Sequence, residues 1–170
     1  GSRSEGLRIC GFKGAKPVIL IIGGSQGSEK INSIVRSALD NLLKDFCICH
    51  ICGKGNVKPE FDGKPGYKQF EYINEEQKHI FAMSDLVVSR AGATILFELL
   101  ALKKPNLLIP LSKAASRGDQ ILNAESFRKQ GYSMVLLEEN MEDASFVRAV
   151  SELYKERSKY IEAMNTRGAE

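Results

Sequence analysis

Short apolar runs alternate with longer amphipathic segments along this chain of 170 residues. The run at 18–22, Val-Ile-Leu-Ile-Ile, has no polar residue, which is typical of a strand buried on both faces of a parallel sheet. Further runs of β-branched and apolar residues predict strands at 46–52, 67–73, 85–89, 106–109 and 133–137. Each crossover between strands is about as long as a helix, so the strands are expected to be parallel.

Helices are predicted between and after the strands, at 4–10, 31–42, 75–83, 95–102, 119–130, 145–155 and 159–165. Ser28 is placed to cap the second of these helices, and Asn74 and Gln77 fit a capping box ahead of the third. The polar stretch at 112–118 is predicted to be a loop. The alternation predicts an α/β fold: a Rossmann-like, three-layer domain with an approximately six-stranded parallel sheet.

Composition is that of an ordinary globular protein and excludes several classes. No apolar run reaches the ~20 residues of a membrane-spanning helix. The formal net charge of +3 is small and the charges are scattered, so no nucleic-acid partner is expected. We expect one domain over 17–170, preceded by a linker or short helix over 1–16.

Three of the four cysteines crowd around His50 and raise the question of a metal site. Cys47 and Cys49 have the spacing of alternate strand residues, and no second pair of ligands follows downstream. We therefore expect buried thiols, no bound metal and a reducing, cytoplasmic environment. His50, in a strand, and His79, in a short helix, are both interpreted as structural or solvated residues.

A glycine-rich turn follows the first strand at once, and its residues are Gly23, Gly24, Ser25, Gln26 and Gly27. Glycine lets a ligand approach the bare backbone, and the N–H groups at the start of the next helix attract phosphate. The turn is neither a P-loop nor a G-x-G-x-x-G motif, because its spacing fits neither pattern. It binds a phosphorylated ligand, such as a nucleotide, or it only makes a corner between strand and helix.

A second turn of small residues, at 90–94, follows the fourth strand and is expected at the same edge of the sheet. Glu98 follows in a helix that is otherwise apolar almost all round, where a carboxylate is costly unless something binds it. It either accepts hydrogen bonds from a ribose or lies on the one solvated stripe of the helix. Gln120 and Asn123, one turn apart in a later helix, suit sugar hydroxyls and an acetamido group, or else face water.

Four motifs in this order resemble the MurG family of N-acetylglucosaminyltransferases. They are Gly-Gly-Ser-Gln-Gly at 23–27, Ser-Arg-Ala-Gly-Ala-Thr at 89–94 with Glu98 and Leu99, the stretch 105–110, and Asp-Gln-x-x-Asn-Ala at 119–124. The resemblance covers about residues 17–135. It implies one half of a GT-B fold, namely the C-terminal domain that binds UDP-N-acetylglucosamine, with the N-terminal acceptor domain absent.

The resemblance also implies an activity for the whole enzyme: transfer of N-acetylglucosamine to lipid I, which makes lipid II in peptidoglycan synthesis. A lipid I hydroxyl attacks the anomeric carbon and UDP leaves, with inversion. UDP-N-acetylglucosamine is then the substrate, and neither a cofactor nor a metal is required. Lipid I is held through the absent domain, no catalytic residue lies in this part, and this part alone is inactive. The full-length protein is expected at the inner face of the cell membrane.

Individual residues take roles from the same resemblance. The glycine-turn backbone and Ser25 approach the pyrophosphate, and the start of the helix after the second turn adds phosphate contacts. Tyr72 and Ile73 form the uracil pocket, and Glu98 holds the ribose. The two amides contact the sugar, whereas Asp119 stands where the family carries a second glutamine. The implied substrate-binding residues are Gly23, Gly24, Ser25, Gln26, Gly27, Tyr72, Ile73, Gly92, Ala93, Thr94, Glu98, Asp119, Gln120 and Asn123.

Two other functions fit the same residues. One is the nucleotide-sugar-binding half of another GT-B-like enzyme, such as a UDP-N-acetylglucosamine epimerase, which release of free sugar products would reveal. The other is a non-catalytic nucleotide-binding module, which a gene without a partner domain upstream would favour.

Overall fold

The structure, a computed structural model, describes residues 1–23 and 28–167, except for the side chain at residue 116. Its strands form a six-stranded sheet in the order β3-β2-β1-β4-β5-β6. The pairs β1–β2, β2–β3, β4–β5 and β5–β6 are parallel. The strands are β1 (Val18–Ile22), β2 (Cys47–Ile51), β3 (Tyr67–Phe70), β4 (Leu86–Ser89), β5 (Asn106–Leu108) and β6 (Met134–Val135).

Helices alternate with these strands and flank the sheet, which confirms the predicted Rossmann-like α/β fold. Within the described residues they are α1 (Arg3–Cys10), α2 (Glu29–Ser37), α3 (Leu39–Leu42), α4 (Gln77–Met83), α5 (Ala93–Leu102), α6 (Lys113–Ser116), α7 (Asp119–Lys129), α8 (Asp143–Lys155) and α9 (Arg157–Arg167).

The chain divides into two compact units, Gly1–Asp85 and Leu86–Glu170. The first contains β1 to β3 and α1 to α4, and the second contains β4 to β6 and α5 to α9. In the first unit, Ile19 of β1 lies opposite Ile48 of β2, and both side chains are fully buried. The apolar run of β1 is covered on both faces, as its sequence predicts, because a strand with one face in water would expose alternate residues.

Three local predictions about the first unit are wrong. The single helix predicted at 31–42 is two helices, because α2 ends at Ser37 and α3 begins at Leu39, with Ala38 between them at φ −93° and ψ 4°. β3 ends at Phe70 rather than at residue 73, and its partner β2 ends at Ile51. The Gly53 N–H still donates to the Glu71 carbonyl at 2.9 Å, and the backbone of Gly53 has a φ of 94°, which a regular strand does not adopt. α4 begins at Gln77, so Asn74 is not its N-cap. Instead, the backbone N–H of Asn74 donates to the Glu76 carboxylate at 3.0 Å. In the second unit, the polar loop predicted after β5 contains the one-turn helix α6.

The four cysteines, Cys10, Cys47, Cys49 and Cys52, are free and buried, which confirms the prediction of buried thiols. Burial raises the pKa of the Cys52 thiol to about 11. A thiol with so high a pKa stays protonated at neutral pH, so Cys52 is a packing residue and not a nucleophile.

His50 lies in β2 with its ring fully buried and hydrogen-bonded at both nitrogens. Its Nε2 lies 2.8 Å from Oδ1 of Asn32, and its Nδ1 lies 2.7 Å from the Tyr67 hydroxyl. The Asn32 Nδ2 donates to the Cys52 carbonyl, so Oδ1 is the acceptor for an Nε2–H, and Nδ1 accepts from Tyr67. Burial lowers the pKa of His50 to about 3. The ring is therefore neutral and structural, as predicted.

Gly6 of α1 packs directly against α4, and we expect Gly6→Ala to destabilise the protein. An added Cβ would lie 2.4 Å from the His79 carbonyl oxygen and 2.7 Å from the Met83 Cβ. Overpacking of this kind costs about 1–3 kcal/mol, which exceeds the gain of at most about 1 kcal/mol in helix propensity. Urea denaturation measures the loss against Ser4→Ala, a change at an exposed position of the same helix. Equal free energies of unfolding for the two variants would contradict the expectation.

Candidate functional site

In the first unit, the glycine turn begins directly at the end of β1, where Gly23 is buried. Ser28 caps α2, with its Oγ accepting from the Ile31 N–H at 3.3 Å, as the sequence predicts. The four turn residues between them lie outside the described residues, so their predicted contacts stay predictions: Gly24, Ser25, Gln26 and Gly27.

Tyr72 and Ile73 follow β3 in the same unit. The Tyr72 side chain is 62% exposed, and Ile73 is half-buried. An exposed aromatic ring next to a strand end is free to stack on a planar base. Their part in a uracil pocket stays a prediction.

In the second unit, α5 starts from the turn that follows β4 and presents an open N-terminus. Gly92 is its N-cap, with φ −73° and ψ 151°, and no side chain of the described residues caps the helix. Ala93 and Thr94, its first two residues, are exposed. First-turn N–H groups without a side-chain cap attract anions and are a common site for phosphate. This end of α5 therefore suits the predicted phosphate contacts at 92–94.

Glu98 lies on the second turn of α5 and is half-buried. Phe97 beside it is 62% exposed, whereas Leu99 is fully buried, so Glu98 lies at the border between the two sides of the helix. At 1.5 Å per residue, it is about 7.5 Å along the helix axis from Ala93. A ligand bound at the first turn can thus present a second polar group to this carboxylate.

The side chains of Gln120 and Asn123 bind the backbone N–H and C=O of Ala91, in the turn before α5. The Gln120 Oε1 accepts from the Ala91 N–H at 3.1 Å and from the Leu111 N–H at 3.0 Å. The Asn123 Nδ2 donates to the Ala91 carbonyl at 3.0 Å. The structure thus brings these two amides to the start of α5. Asp119 is exposed in the first turn of α7, where its charge complements the helix dipole.

Arg90 and Glu138 form a buried ion pair in the second unit, with side chains only 10% and 9% exposed. The Arg90 Nη2 donates to Glu138 Oε2 at 3.1 Å, and its Nη1 donates to the carbonyls of Ile109 and Pro110 at 3.1 and 3.4 Å. Sequence reasoning assigned neither residue a role. Arg90 stands inside the second turn motif, but its partner is 48 residues away and has no motif around it.

Among the residues that the structure describes, no three histidine, cysteine, aspartate or glutamate side chains are arranged to hold a metal ion. None of the described helices is long and apolar enough to cross a membrane. The predicted functional residues of the second unit supply helix N–H groups, the two carboxylates of Glu98 and Asp119, and the two amides of Gln120 and Asn123.

A family model described as the glycosyltransferase family 28 C-terminal domain matches residues 18–170. This chain belongs to that family. The match covers β1 to β6, and it includes both turn motifs and the α7 amides. The family 28 C-terminal domain is thus the unit to which the predicted donor-binding residues belong.

Two curated relatives of this family 28 domain carry the name "UDP-N-acetylglucosamine--N-acetylmuramyl-(pentapeptide) pyrophosphoryl-undecaprenol N-acetylglucosamine transferase". The protein from Clostridium botulinum (strain Hall) is 58% identical over 165 residues, which are 97% of this chain and 47% of the relative. The protein from Geobacillus kaustophilus is 55% identical over 169 residues, or 99% of this chain and 47% of the relative. The resemblance to the MurG family is thereby confirmed, and the chain spans about half the length of these relatives.

The crystal structure of Acinetobacter baumannii MurG superimposes on this family 28 domain with a TM-score of 0.74. The sequences are 23% identical, and the match covers 96% of this chain and 47% of that one. This likeness shows the fold, and it confirms that the chain has the architecture of one half of a GT-B enzyme.

Proposed function

We propose that this chain is the UDP-N-acetylglucosamine-binding domain of an inverting glycosyltransferase. The whole protein would transfer N-acetylglucosamine to lipid I and so make lipid II for peptidoglycan. The observation that carries the proposal is the 58% identity, over 97% of the chain, to the Clostridium botulinum protein whose name describes this transfer. Because the chain spans 47% of that protein, the acceptor domain and the lipid I contacts are assigned to the other half.

The start of α5 supports the proposal chemically. Its N–H groups at 92–94, which no side chain of the described residues caps, are suited to the donor diphosphate. Glu98, half-buried on the second turn of the same helix, would accept hydrogen bonds from ribose hydroxyls. The Oε1 of Gln120 already accepts two backbone N–H groups, so this amide offers N–H donors to a sugar oxygen. Asn123 would complete the sugar contacts from the same helix.

In the proposed reaction, an acceptor hydroxyl attacks the anomeric carbon while the bond to UDP breaks. Negative charge then grows on the leaving diphosphate, and preorganised N–H donors stabilise it. We propose that the α5 N-terminus and the glycine turn at 23–27 supply these donors, with no metal or cofactor, while Tyr72 and Ile73 receive the uracil. The general base for the acceptor is assigned to the other half of the protein. Such a protein would work in the cytoplasm, on the inner face of the membrane that contains lipid I.

The role of Glu98 tests the proposal. We expect this chain to bind UDP-N-acetylglucosamine in titration calorimetry, and we expect Glu98→Gln to weaken binding about 10- to 100-fold, since hydrogen bonds to a charged group contribute about 1.5–3 kcal/mol. A second titration compares the affinities of both proteins for UDP and for 2′-deoxy-UDP. Wild type should prefer UDP, and Glu98→Gln should lose that preference, because the missing hydroxyl is the one that the carboxylate recognises.

Glu152→Gln is the matched control, because Glu152 is an exposed glutamate on α8, and it should bind like wild type. Equal affinities for wild type and Glu98→Gln would remove Glu98 from the site. A wild-type chain that binds no UDP compound would contradict the proposed function itself, and release of free sugar would favour an epimerase instead.

A further inference from the structure

Three side chains tie together the two turns that follow β4 and β5. Arg90 donates to the carbonyls of Ile109 and Pro110, at the end of β5. Gln120 accepts from the backbone of both turns, at Ala91 and Leu111. Asn123 completes the arrangement with its bond to the Ala91 carbonyl. We call this set of contacts the turn frame.

Arg90 is the charged member of the turn frame, and its orientation depends on Glu138. The guanidinium is planar, with its donors in a rigid fork, so one side chain reaches two carbonyls and a carboxylate in fixed directions. Glu138 follows β6, where the Leu136 N–H donates to the Leu108 carbonyl. The pair therefore connects the ends of β4, β5 and β6 through contacts that water hardly reaches, since the two side chains are 10% and 9% exposed.

The direction of the α5 N-terminus follows from this frame. Gly92 caps α5 directly after Ala91, whose N–H and C=O are both held by side chains of the frame. Arg90 precedes Ala91, so a shift of Arg90 moves the first-turn N–H groups as a unit. Misplacing binding groups by a fraction of an ångström weakens recognition even where every group is still present.

We propose that Arg90 is a positioning residue for the donor site. It touches no ligand; it acts through the turn frame, with Glu138 holding its guanidinium, to aim the N–H groups of α5 at the diphosphate. This inference rests on the proposed function, because it presumes that UDP binds at this end of α5.

The test compares UDP affinity with stability in the same variants of this chain. Arg90→Lys keeps the positive charge beside Glu138 but replaces the fork by a single ammonium, which cannot hold all three acceptors in the same directions. We expect about tenfold weaker UDP binding, measured by calorimetry at a temperature at which every variant is folded. Glu138→Gln should weaken binding in the same direction. The double variant should be weaker by less than the product of the single effects, since both act through one contact.

Val150→Ala is the control for a merely structural role. Val150 is fully buried on α8 and is not a member of the turn frame, so its truncation leaves a cavity and lowers stability. It should bind UDP with wild-type affinity despite its lower melting temperature. Wild-type affinity in Arg90→Lys, or an equal loss of affinity in Val150→Ala, would overturn the proposal.

Hydrogen exchange of the Ala91 and Leu111 amides separates this proposal from the proposed function. Both amides donate to Gln120 inside the turn frame, so they should exchange faster in Arg90→Lys than in wild type, without any ligand. Unchanged exchange would show that Arg90 does not hold the frame. If exchange accelerates but wild type binds no UDP, the proposed function fails while the mechanical part of the inference is upheld.

Discussion

Glu138→Ala is expected to lower the free energy of unfolding by about 3–5 kcal/mol, the typical cost of removing one partner of a buried ion pair. The loss arises because the Arg90 guanidinium stays buried, with a side chain only 10% exposed, and loses the carboxylate that compensates its charge. Its two carbonyl acceptors, on Ile109 and Pro110, remain, but neither carries a full negative charge. Urea denaturation of the 170-residue chain measures the effect.

The matched control is Glu125→Ala on α7. Glu125 pairs with Arg128 one turn away, so the residue types are the same, but the two side chains are 43% and 52% exposed. Exposed pairs contribute little, because water screens them and both side chains lose rotamer freedom. A similar effect of the two substitutions would show that burial does not set the strength of the Arg90–Glu138 pair.

We expect the free energy of unfolding to fall already as the pH drops below about 6.5, before most carboxylates titrate, because of His50. Its pKa is lowered by burial from 6.5 to about 3, so the folded protein keeps the ring neutral while the unfolded chain takes up a proton below about pH 6.5. The unfolded state then binds more protons than the folded state, so stability falls as the pH falls through this window. The slope approaches about 1.4 kcal/mol per pH unit, and the loss ends only near the folded pKa.

Denaturation in urea at pH values between 7 and 5 isolates the effect of His50, because most carboxylates titrate lower. His50→Gln should flatten the dependence, whatever it does to stability at pH 7. His79→Gln is the matched control, since the chain has only two histidines, and the slope should persist because His50 is still present. An unchanged slope in His50→Gln would refute the attribution of this pH dependence to His50.

Much of the candidate site could be predicted from the sequence, since its residues stand in local motifs. The turn before α5, the helix itself and the position of Glu98 on it follow from spacing alone, and the structure places all of them in one unit. The hydrogen bonds of Gln120 could not be predicted. Its Oε1 is occupied by the backbone of two turns, one of which lies 29 residues earlier in the chain.

The sequence by itself determined the alternation of strands and helices, the buried β1 and the order of the motifs. These follow from local periodicity, because a residue's neighbours along one strand or helix are set by 2.0 or 3.6 residues per repeat. The tertiary structure alone decided that Arg90 meets Glu138 and that His50 lies between Tyr67 and Asn32. Such partners are far apart in the chain, so their pairing depends on which strands become neighbours in the sheet. The local sequence pattern does not determine which strands are neighbours.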